Sequence, residues 1–258
     1  MNAYNFDFNH GAARPADDPR AADICDRINA HVDARFFAKR DAEPRRQYIG
    51  ASGIGNECLR AVQLSYMGLP IDEGRISGKT LRIFDVGHRW EDILVAWLRD
   101  AGFKLDTIDP ATNYQFGWKA LNGKAKGHVD GILRGGPVPM AYPALWEAKA
   151  LNEKGWQDVK KRGLAISKPV YAAQIAINQA YMDMTAPALF TALNKNTEEL
   201  HHELVPFDQA LAQRMSDRLL RVVEATEGQQ LLPRGFSDPQ NYKCKWCDFA
   251  GTCWKRLK

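Results

Sequence analysis

The spacing of apolar residues divides the chain into helical and extended segments. Apolar positions that recur every three or four residues indicate amphipathic helices, and alternation of apolar and polar residues indicates half-buried strands. The helical spacing predicts helices over about residues 19–39, 52–67, 79–101, 153–162, 169–184 and 208–228. Ser52 is placed to cap the second of these helices, and Gly102 follows the third.

Shorter apolar segments between the helices predict β-strands. They cover about residues 104–108, 114–120, 126–133, 144–150, 188–193 and 198–205, and Asp-Pro, Asn-Gly and Gly-Gly-Pro turns separate several of them. Helices, strands, helices, two more strands and a last helix follow one another along the chain. This order predicts an α/β or α+β core wrapped by helices.

Composition narrows the class of protein. The 258 residues fit one large domain or one domain with an appendage, and 45% hydrophobic with 26% charged residues is ordinary for a soluble globular protein. No apolar run approaches the roughly 18 residues that cross a bilayer, and the polar N-terminus lacks a signal-peptide pattern. We therefore expect a cytoplasmic location and no membrane partner. The net charge of +4 is too small to require a nucleic-acid partner.

Two of the predicted strands carry carboxylates and a lysine. Asp130 ends the segment Gly-His-Val-Asp, and Glu147 and Lys149 share one face of the strand Leu-Trp-Glu-Ala-Lys. If the two strands pair as a hairpin, Asp130 lies beside Glu147, and both carboxylates could hold Mg²⁺ or Mn²⁺ with the Lys149 ammonium near an attacking water. That arrangement suits hydrolysis of a phosphodiester. The alternative is a same-face ion pair without a catalytic role, which is common in sheets.

Two predicted helices add polar residues to this pattern. Glu91 could supply a third metal ligand, and His88 shares its helical face; the alternative is that Glu91 belongs to a solvated stripe. A later helix carries four polar or aromatic residues along one face: Tyr171, Gln174, Asn178 and Tyr181. This face could equally be the polar edge of a core helix.

Four of the five cysteines could form one thiolate site. Cys244, Cys247 and Cys253 lie close together near the C-terminus, and Cys58 lies far upstream. Four thiolates are the ligand set of structural zinc or of an iron–sulfur cluster, and clustered cysteines in a reducing compartment more often bind metal than form disulfides. Cys25 lies in a predicted helix and is expected to be a buried structural thiol outside this site.

Basic residues follow the strand that holds Glu147. Lys154, Lys160, Lys161, Arg162 and Lys168 surround Trp156. Basic residues interleaved with an aromatic one could track a nucleic-acid strand by phosphate contact and base stacking. A solvated helix face explains the same pattern, so both interpretations stay open.

Taken in order, these segments resemble the RecB-type branch of the PD-(D/E)xK nuclease superfamily. The places of its four motifs are filled by residues 87–91, 127–130, 147–149 and 171–174, and the resemblance covers about residues 50–258. Cys58, Arg60 and Tyr66, with the C-terminal cysteine triplet, resemble the cysteine motifs of members that carry an iron–sulfur cluster. These members include CRISPR-associated RecB-like exonucleases, and the segment 193–197 resembles phage exonucleases more weakly.

The resemblance implies a fold and a division of the chain. The fold would be a restriction-endonuclease-like α/β core with a central mixed β-sheet flanked by helices, joined to a cysteine-clipped iron–sulfur subdomain. Residues 1–48 would form an N-terminal arm and helix, residues 49–230 the nuclease core, and residues 231–258 a C-terminal iron–sulfur segment closed by Cys58.

The resemblance also implies roles for single residues. One or two Mg²⁺ or Mn²⁺ ions would be bound by Glu91, Asp130, Glu147 and the backbone carbonyl of Ala148. Lys149 would assist the water, and Gln174 would help to position the DNA backbone or the lysine. Cys58, Cys244, Cys247 and Cys253 would hold a 4Fe–4S cluster, although zinc suits a four-thiolate site as well.

Three positions depart from the pattern of the family. Glu91 stands where many members have His, and we expect its role to survive, with His88 as an alternative ligand. Val129 replaces the Pro before Asp130, and Asn178 stands where a Tyr often follows the Gln by four residues. The last departure leaves the details of substrate contact open.

The sequence thus predicts a metal-dependent DNA exonuclease that acts on single strands or duplex ends and carries a structural 4Fe–4S cluster. We expect the protein to be a stand-alone phage or CRISPR-associated enzyme, with possible protein partners in recombination or CRISPR adaptation. Two alternatives remain. One is a nucleic-acid-binding or assembly subunit with a vestigial nuclease site, and the other is a zinc-stabilised endonuclease.

Overall fold

The computed structural model describes residues 19–256, which fall into two compact units. The smaller unit contains helix α1 (Pro19–Ala42) and Ile76–Ile83, and the larger unit contains Arg45–Arg75 and the chain from Phe84 onwards. Across residues 19–256, no helix combines the length and the apolar character needed to cross a membrane.

Helix α1 is exposed along most of its length. Ile24, Ile28 and Val32 are exposed apolar side chains on this helix, and Cys25 is exposed as well. The expectation that Cys25 is buried is therefore wrong. Helical periodicity identifies an apolar face, but it does not show whether another element covers that face.

The larger unit contains the other helices and all strands of the described chain. Its helices are α2 (Ala51–Ile54), α3 (Leu59–Tyr66), most of α4 (Gly78–Asp100), α5 (Glu153–Arg162), α6 (Leu164–Ser167), α7 (Pro169–Tyr181), α8 (Gln209–Glu227) and α9 (Tyr242–Lys245). Its strands are β1 (Ile49–Gly50), β2 (Lys104–Asp106), β3 (Ile108–Asp109), β4 (Tyr114–Gln115), β5 (Gly117–Ala120), β6 (Ala125–His128), β7 (Gly131–Gly135), β8 (Ala144–Leu151), β9 (Ala188–Asn194) and β10 (Leu200–Val205). A 3-10 turn (Leu121–Gly123) and a π-helical turn (Thr252–Arg256) complete the unit.

A five-stranded mixed sheet forms the centre of the larger unit. Its order is β10-β9-β8-β7-β2, in which β8 and β9 are parallel and every other pair is antiparallel. Strand β9 is buried throughout and β8 nearly so, as expected for strands covered on both faces. The predicted α/β architecture with a central mixed sheet flanked by helices is confirmed.

Alternation along β8 directs its side chains to different helices. Leu145 packs with Trp156 of α5 and Ile175 of α7 on one face of the sheet. Trp146, the next residue, packs with Leu94 of α4 on the opposite face. A strand has a side-chain period of two, so Glu147 shares the face of Leu145 and points towards α7.

The segment predicted as one strand over residues 126–133 forms two strands in two different sheets. Strand β6 pairs with β1 and β5 in a three-stranded sheet, whereas β7 belongs to the central sheet. Between them, the Val129 N–H donates to the carbonyl of Phe116 (3.0 Å), and the Gln115 side chain donates to the Val129 carbonyl (3.0 Å). These bonds hold the chain where it leaves one sheet for the other, directly before Asp130.

The helix predicted over residues 52–67 is broken in the structure. Helix α2 ends at Ile54, and α3 begins at Leu59, directly after Cys58. Ser52 lies inside α2, whose N-cap is Gly50 and which has no side-chain cap, so the predicted cap is wrong. In the break, the Cys58 N–H donates to the side chain of Asn56 (2.9 Å), which leaves the Cys58 side chain at the start of α3.

Asp72 ties the C-terminal segment to the body of the larger unit. Its carboxylate accepts hydrogen bonds from the Gly251 N–H and from the Thr252 N–H (3.1 Å) and hydroxyl (2.8 Å). Burial alone would raise the pKa of Asp72, but these hydrogen bonds lower it overall. The ionised carboxylate therefore stabilises the fold near neutral pH, and this stabilisation is lost as the pH falls through the lowered pKa.

We expect Asp72→Asn to lower the free energy of unfolding by about 1–3 kcal/mol, because an amide offers one acceptor oxygen where the carboxylate offers two. Chemical denaturation at pH 7 measures this change. Glu73→Gln is the matched control, since Glu73 is the adjacent carboxylate and is exposed. Equal stability of both variants would contradict the anchoring role of Asp72.

Candidate active site

The hairpin of β7 and β8 brings Asp130 beside Glu147. Gly131 is the cross-strand partner of Trp146, so the preceding Asp130 stands next to Glu147 at the end of the ladder. One oxygen of Asp130 accepts a hydrogen bond from the Ala148 N–H (2.8 Å). The structure thus places the two strand carboxylates together, as the proposed hairpin requires.

Lys149 contacts both of these carboxylates. Its ammonium group is hydrogen-bonded to Glu147 Oε1, donates to the Ala148 carbonyl (2.9 Å) and lies 3.7 Å from Asp130 Oδ2. Burial alone would lower the pKa of Lys149, but the charges of Glu147 and Asp130 outweigh burial and raise it. The lysine is therefore held in its charged form and acts here as a fixed positive charge.

Glu147 is the most constrained carboxylate of the site. It is fully buried, and its Oε1 accepts from the Gln174 side-chain amide on α7 (2.7 Å) as well as from Lys149. Its other oxygen, Oε2, is buried and has no hydrogen-bond partner within residues 19–256. Burial, followed by the charge of Asp130, raises the pKa of Glu147 to about 8.

Glu91 joins this group from helix α4. It lines a cleft of about 700 Å³ together with Asp130, Lys149, Gln174 and His88. Burial, and after it the negative charge of Asp130, raises the pKa of Glu91 to about 7. The charge of Asp130 thus acts on both Glu91 and Glu147. Mutually repelling carboxylates in a partly dehydrated setting are typical of sites that bind cations or transfer protons.

The donor set can be compared with the needs of a divalent cation. Within residues 19–256, no three His, Cys, Asp or Glu side chains stand close enough to hold one metal ion, and the Lys149 ammonium contacts the carboxylates of both strands. The groups themselves are nevertheless of the kind that Mg²⁺ and Mn²⁺ prefer, namely carboxylate and carbonyl oxygens. A buried carboxylate oxygen without a partner is unfavourable unless it gains one. Glu147 Oε2 is such an atom, and it makes the site chemically suited to a hard cation.

The four cysteines of the predicted thiolate site line one cleft of about 910 Å³. Backbone N–H groups donate to two of the sulfurs, from Gly235 to Cys58 Sγ (3.4 Å) and from Phe249 to Cys247 Sγ (3.5 Å). A Cβ atom at Gly235 would lie 2.9 Å from Cys58 Cα, so only glycine allows this close approach. The segment after α8 is thereby held against the start of α3.

Electrostatics links the same four cysteines. Burial raises the pKa of Cys244 and Cys247, and proximity to Cys58 and Cys253 raises both further. Burial and the neighbouring thiols therefore disfavour the free thiolate form of Cys244 and Cys247. N–H donors to sulfur favour the thiolate form and are a feature of iron–sulfur sites.

Several residues of the sequence patterns have structural positions that differ from the expected ones. Trp156 is fully buried, and its indole donates to the Ala192 carbonyl (3.0 Å), so this ring is not placed to stack on bases, one of the two interpretations that the sequence left open. Asn178 is also fully buried. Its side chain accepts from the Trp118 indole (2.8 Å) and donates to the His128 carbonyl (3.1 Å), which fixes the end of β6 just before Asp130.

Four further residues that were not predicted as site residues line the cleft, namely Arg46, Tyr48, Lys126 and His128. His128 falls within the motif at residues 127–130, but no spacing rule joins Arg46 and Tyr48 to it. They come from the segment before β1, which meets β6 only through sheet pairing. Only the alternation of Lys126 and His128 along β6 could have suggested a common face.

The fold has counterparts among solved structures. It is similar to the crystal structure of SSO0001, with a TM-score of 0.51 and 16% sequence identity over 90% of this chain and 98% of that one. It is also similar to an alkaline exonuclease from Laribacter hongkongensis, with a TM-score of 0.50 and 12% identity over 76% of this chain and 93% of that one. The same exonuclease in complex with dAMP gives a TM-score of 0.48 and 11% identity over 72% of this chain and 90% of that one.

No protein-family model and no curated protein sequence matches the chain. At identities of 16% and 12%, the likeness to solved structures is one of fold, and it does not extend to activity. The chain therefore has a mixed α/β fold similar to that of an alkaline exonuclease.

Proposed function

We propose that this protein is a divalent-metal-dependent deoxyribonuclease that degrades DNA as an exonuclease, on single strands or at duplex ends. The observation that carries the proposal is the buried Glu147, whose Oε2 lacks a hydrogen-bond partner among the described residues while Asp130 and Lys149 lie beside it. A buried carboxylate oxygen without a partner is unfavourable, and a bound cation would supply that partner. The similarity of fold to an alkaline exonuclease supports the same conclusion.

The residues divide the chemistry among them. Glu91, Asp130, Glu147 and the Ala148 carbonyl would hold one or two Mg²⁺ or Mn²⁺ ions, which supply charge stabilisation for the phosphate and a more acidic water. The Lys149 ammonium, held charged between two carboxylates, would orient the attacking water or contact the scissile phosphate. Gln174 donates to Glu147 Oε1 (2.7 Å), so it fixes the direction of the unpaired oxygen.

The protonation states set a lower pH limit for this site. The pKa values of Glu91 and Glu147 are raised to about 7 and about 8 in the cation-free fold. Cation binding needs both carboxylates ionised, so at a pH below these pKa values the cation must displace their protons. Activity is therefore expected to rise with pH through the range from 7 to 8, and a higher cation concentration should move this rise to lower pH.

A 4Fe–4S cluster bound by Cys58, Cys244, Cys247 and Cys253 is the second part of the proposal. The convergence of four cysteines on one cleft and the two N–H donors to sulfur support it. Its role would be structural, because it would join the C-terminal segment to the start of α3. Zinc would use the same thiolates, and the visible spectrum of protein purified without oxygen distinguishes the two.

The proposal includes a biological setting. Protein partners in recombination or CRISPR adaptation, and a phage or CRISPR-associated origin, are supported by the resemblance of the nuclease and cysteine motifs to those enzymes.

Incubation of the full-length protein with end-labelled linear DNA and Mn²⁺ or Mg²⁺ tests the activity. Stepwise shortening from an end is the expected result, and the lack of any cleavage would overturn the proposal in favour of a binding subunit. Nicking of covalently closed circular DNA would favour the endonuclease alternative. Both single-stranded and duplex substrates are needed, because the cleft does not distinguish them.

Two adjacent carboxylates on α4 provide a matched test of the cation site. Glu91 and Asp92 both line the cleft, but Glu91 is half-buried, with its pKa raised by burial and by Asp130, whereas the Asp92 side chain is exposed. We expect Glu91→Gln to lower the cleavage rate roughly 10²-fold or more, and Asp92→Asn to change it less than about threefold. Initial rates at saturating Mn²⁺ measure both. Equal losses in the two variants would mean that the cleft needs negative charge in general and not a ligand at Glu91.

A further inference from the structure

One face of the three-stranded sheet carries cations close to the candidate active site. In β6, Ala125 and Gly127 are buried, whereas Lys126 and His128 point the other way. The buried residues of this sheet pack on α2, α7 and α8. We call Arg46, Lys119 and Lys126 the cationic face. His128 lies beside them, and burial, followed by their charges, lowers its pKa.

Two lysines of the cationic face lie directly opposite each other. Lys119 of β5 is the cross-strand partner of Lys126 of β6 in antiparallel register. Directly opposed residues have Cβ atoms roughly 5 Å apart, and like charges in this position destabilise a sheet. The fold therefore contains a repulsion that an anion between the two strands would relieve.

The cations of this face are not neutralised by the described part of the protein. Within residues 19–256, Arg46, Lys119 and Lys126 form no ion pair with a carboxylate. Lys124, only two residues before Lys126, shows the contrast because it pairs with Glu227. The unpaired charges are thus a property of this face and not of the whole region.

Tyr48 holds two of the cations around one aromatic ring. The Lys126 ammonium lies 4.5 Å from the ring centroid, and the Arg46 guanidinium carbon lies 5.5 Å from it. Gly50, the sheet partner of Lys126, leaves room for this arrangement, since a Cβ there would lie 3.1 Å from an Arg46 guanidinium nitrogen. The ring attracts both cations and orders them without reducing their charge.

The cationic face leads directly to the carboxylates. Arg46, Tyr48, Lys126 and His128 line the same cleft as Glu91 and Lys149, and the chain passes from β6 to Asp130 through a single residue. A ligand that lies along β6 towards Asp130 would meet positive charge first and the candidate catalytic group next. A nucleic-acid backbone fits such a path, because it carries a row of negative phosphates that can contact the cations while one phosphate reaches the carboxylates.

We propose that the cationic face binds consecutive backbone phosphates of the nucleic-acid strand next to the scissile bond, with Tyr48 as the positioning residue for Arg46 and Lys126. The location of the scissile bond rests on the proposed nuclease function, whereas binding of the strand does not require cleavage. The two ideas can therefore fail separately.

The test is binding of the full-length protein to a fluorescent single-stranded oligonucleotide in EDTA, where cleavage is absent, at several salt concentrations. A variant with Arg46→Ala, Lys119→Ala and Lys126→Ala should bind more weakly, and its plot of log affinity against log salt should be shallower by about 2. Each lost phosphate contact on a single strand removes about 0.7 from that slope. The charge-matched comparison is Lys154→Ala, Lys160→Ala and Lys161→Ala on α5, which should keep the wild-type slope.

A stability measurement distinguishes binding from a structural role. Lys119→Gln removes the like-charge pair, so its Tm without nucleic acid should equal or exceed that of the wild type, while its affinity for the strand falls. Tyr48→Phe keeps the aromatic ring and should retain affinity, whereas Tyr48→Leu should lose it.

Three outcomes would overturn the proposal. One is an unchanged salt slope in the Arg46, Lys119 and Lys126 variant, with or without nuclease activity. Another is a loss of slope in the α5 variant instead, which would assign the strand to that helix. The third is equally tight binding of a poly-glutamate peptide of the same charge, because it would point to an acidic protein partner. Strand binding that follows the prediction in a protein without any nuclease activity would retain this inference and remove the proposed function.

Discussion

Glu147→Gln is expected to lower the rate of DNA cleavage by roughly 10²–10³-fold, the usual effect of removing one preorganised electrostatic group from an active site. The substitution keeps the shape of the side chain and an acceptor oxygen for Gln174, which donates to Glu147 Oε1 over 2.7 Å. It removes the negative charge and places an amide NH2 group at the position of the unpaired Oε2. An NH2 group of an amide cannot bind a cation. Single-turnover cleavage of end-labelled DNA with saturating enzyme measures the chemical step.

The matched control for this substitution is Glu224→Gln, the same chemical change at an exposed position of α8. It should cleave DNA at the wild-type rate. Lys149→Ala should show a loss similar to that of Glu147→Gln, because Lys149 contacts both strand carboxylates. Unchanged cleavage in Glu147→Gln would remove the catalytic assignment, and the buried ion pair would then be structural.

A melting experiment separates lost chemistry from lost fold. The pKa of Glu147 is raised to about 8 in the folded protein, so protonated Glu147 stabilises the fold at low pH, and this stabilisation is lost as the pH rises towards 8. Without divalent ions, Glu147→Gln should therefore melt at the wild-type temperature or above it at pH 8. Mn²⁺ should raise the Tm of the wild type at this pH and should raise that of the variant much less.

The neighbourhood of Asp130 and Glu147 could be predicted from the sequence because it depends on local rules. Alternation places Glu147 and Lys149 on one face of a strand, and the Gly-Gly-Pro turn that follows β7 favours pairing of that strand with β8. The bounds of α5, at Glu153–Arg162, are those predicted, since Asn152 caps this helix through a side-chain bond to the Gly155 N–H. Local capping and periodicity were enough in these places.

Features that depend on distant contacts could not be predicted in this way. The chain leaves β6 at Val129 because Phe116 and the side chain of Gln115 bind its backbone, and Gln115 belongs to β4 of a different sheet. The sequence left open whether Asn178 contacts substrate, and the structure shows it buried beside Trp118, which stacks on Tyr181 with a centroid distance of 4.3 Å. A helical stripe of polar residues does not reveal which of them meets a buried donor.

The roles of the site residues stay predictions, and so does the cofactor of the cysteines. The structure brings Glu91, Asp130, Lys149 and Gln174 to one cleft and the four cysteines to another. Glu147 is buried behind the first cleft, where it contacts Lys149 and Gln174. Arg46 and Tyr48 line both clefts. A metal that orders the cysteine cleft would therefore also order one wall of the candidate active site. Loss of that metal in a cysteine variant is then expected to affect DNA cleavage as well.

Cys247→Ala is expected to abolish the visible absorbance of protein purified without oxygen and most of its soluble yield. The cysteine ligands come from the start of α3 and from the C-terminal segment, and most of the chain lies between them. A metal group that closes so long a loop stabilises the fold through binding free energy that the unfolded chain cannot realise. Absorbance, iron content and soluble yield are measured on the same preparations.

Cys25→Ala is the matched control, because Cys25 is an exposed free thiol on α1 outside the cleft. It should keep both colour and yield. If the wild-type protein is colourless and contains one zinc ion, the proposed cluster is wrong and zinc takes its place. The structural role proposed for the four thiolates would remain. A soluble, fully active Cys247→Ala protein would contradict both, since the hydrogen bonds from the C-terminal segment to Asp72 would then suffice to hold it. The double variant Cys247→Ala and Asp72→Asn compares the proposed metal with the Asp72 hydrogen bonds as anchors of the C-terminal segment. If the metal contributes more, Asp72→Asn adds little to the loss of soluble yield that Cys247→Ala already causes.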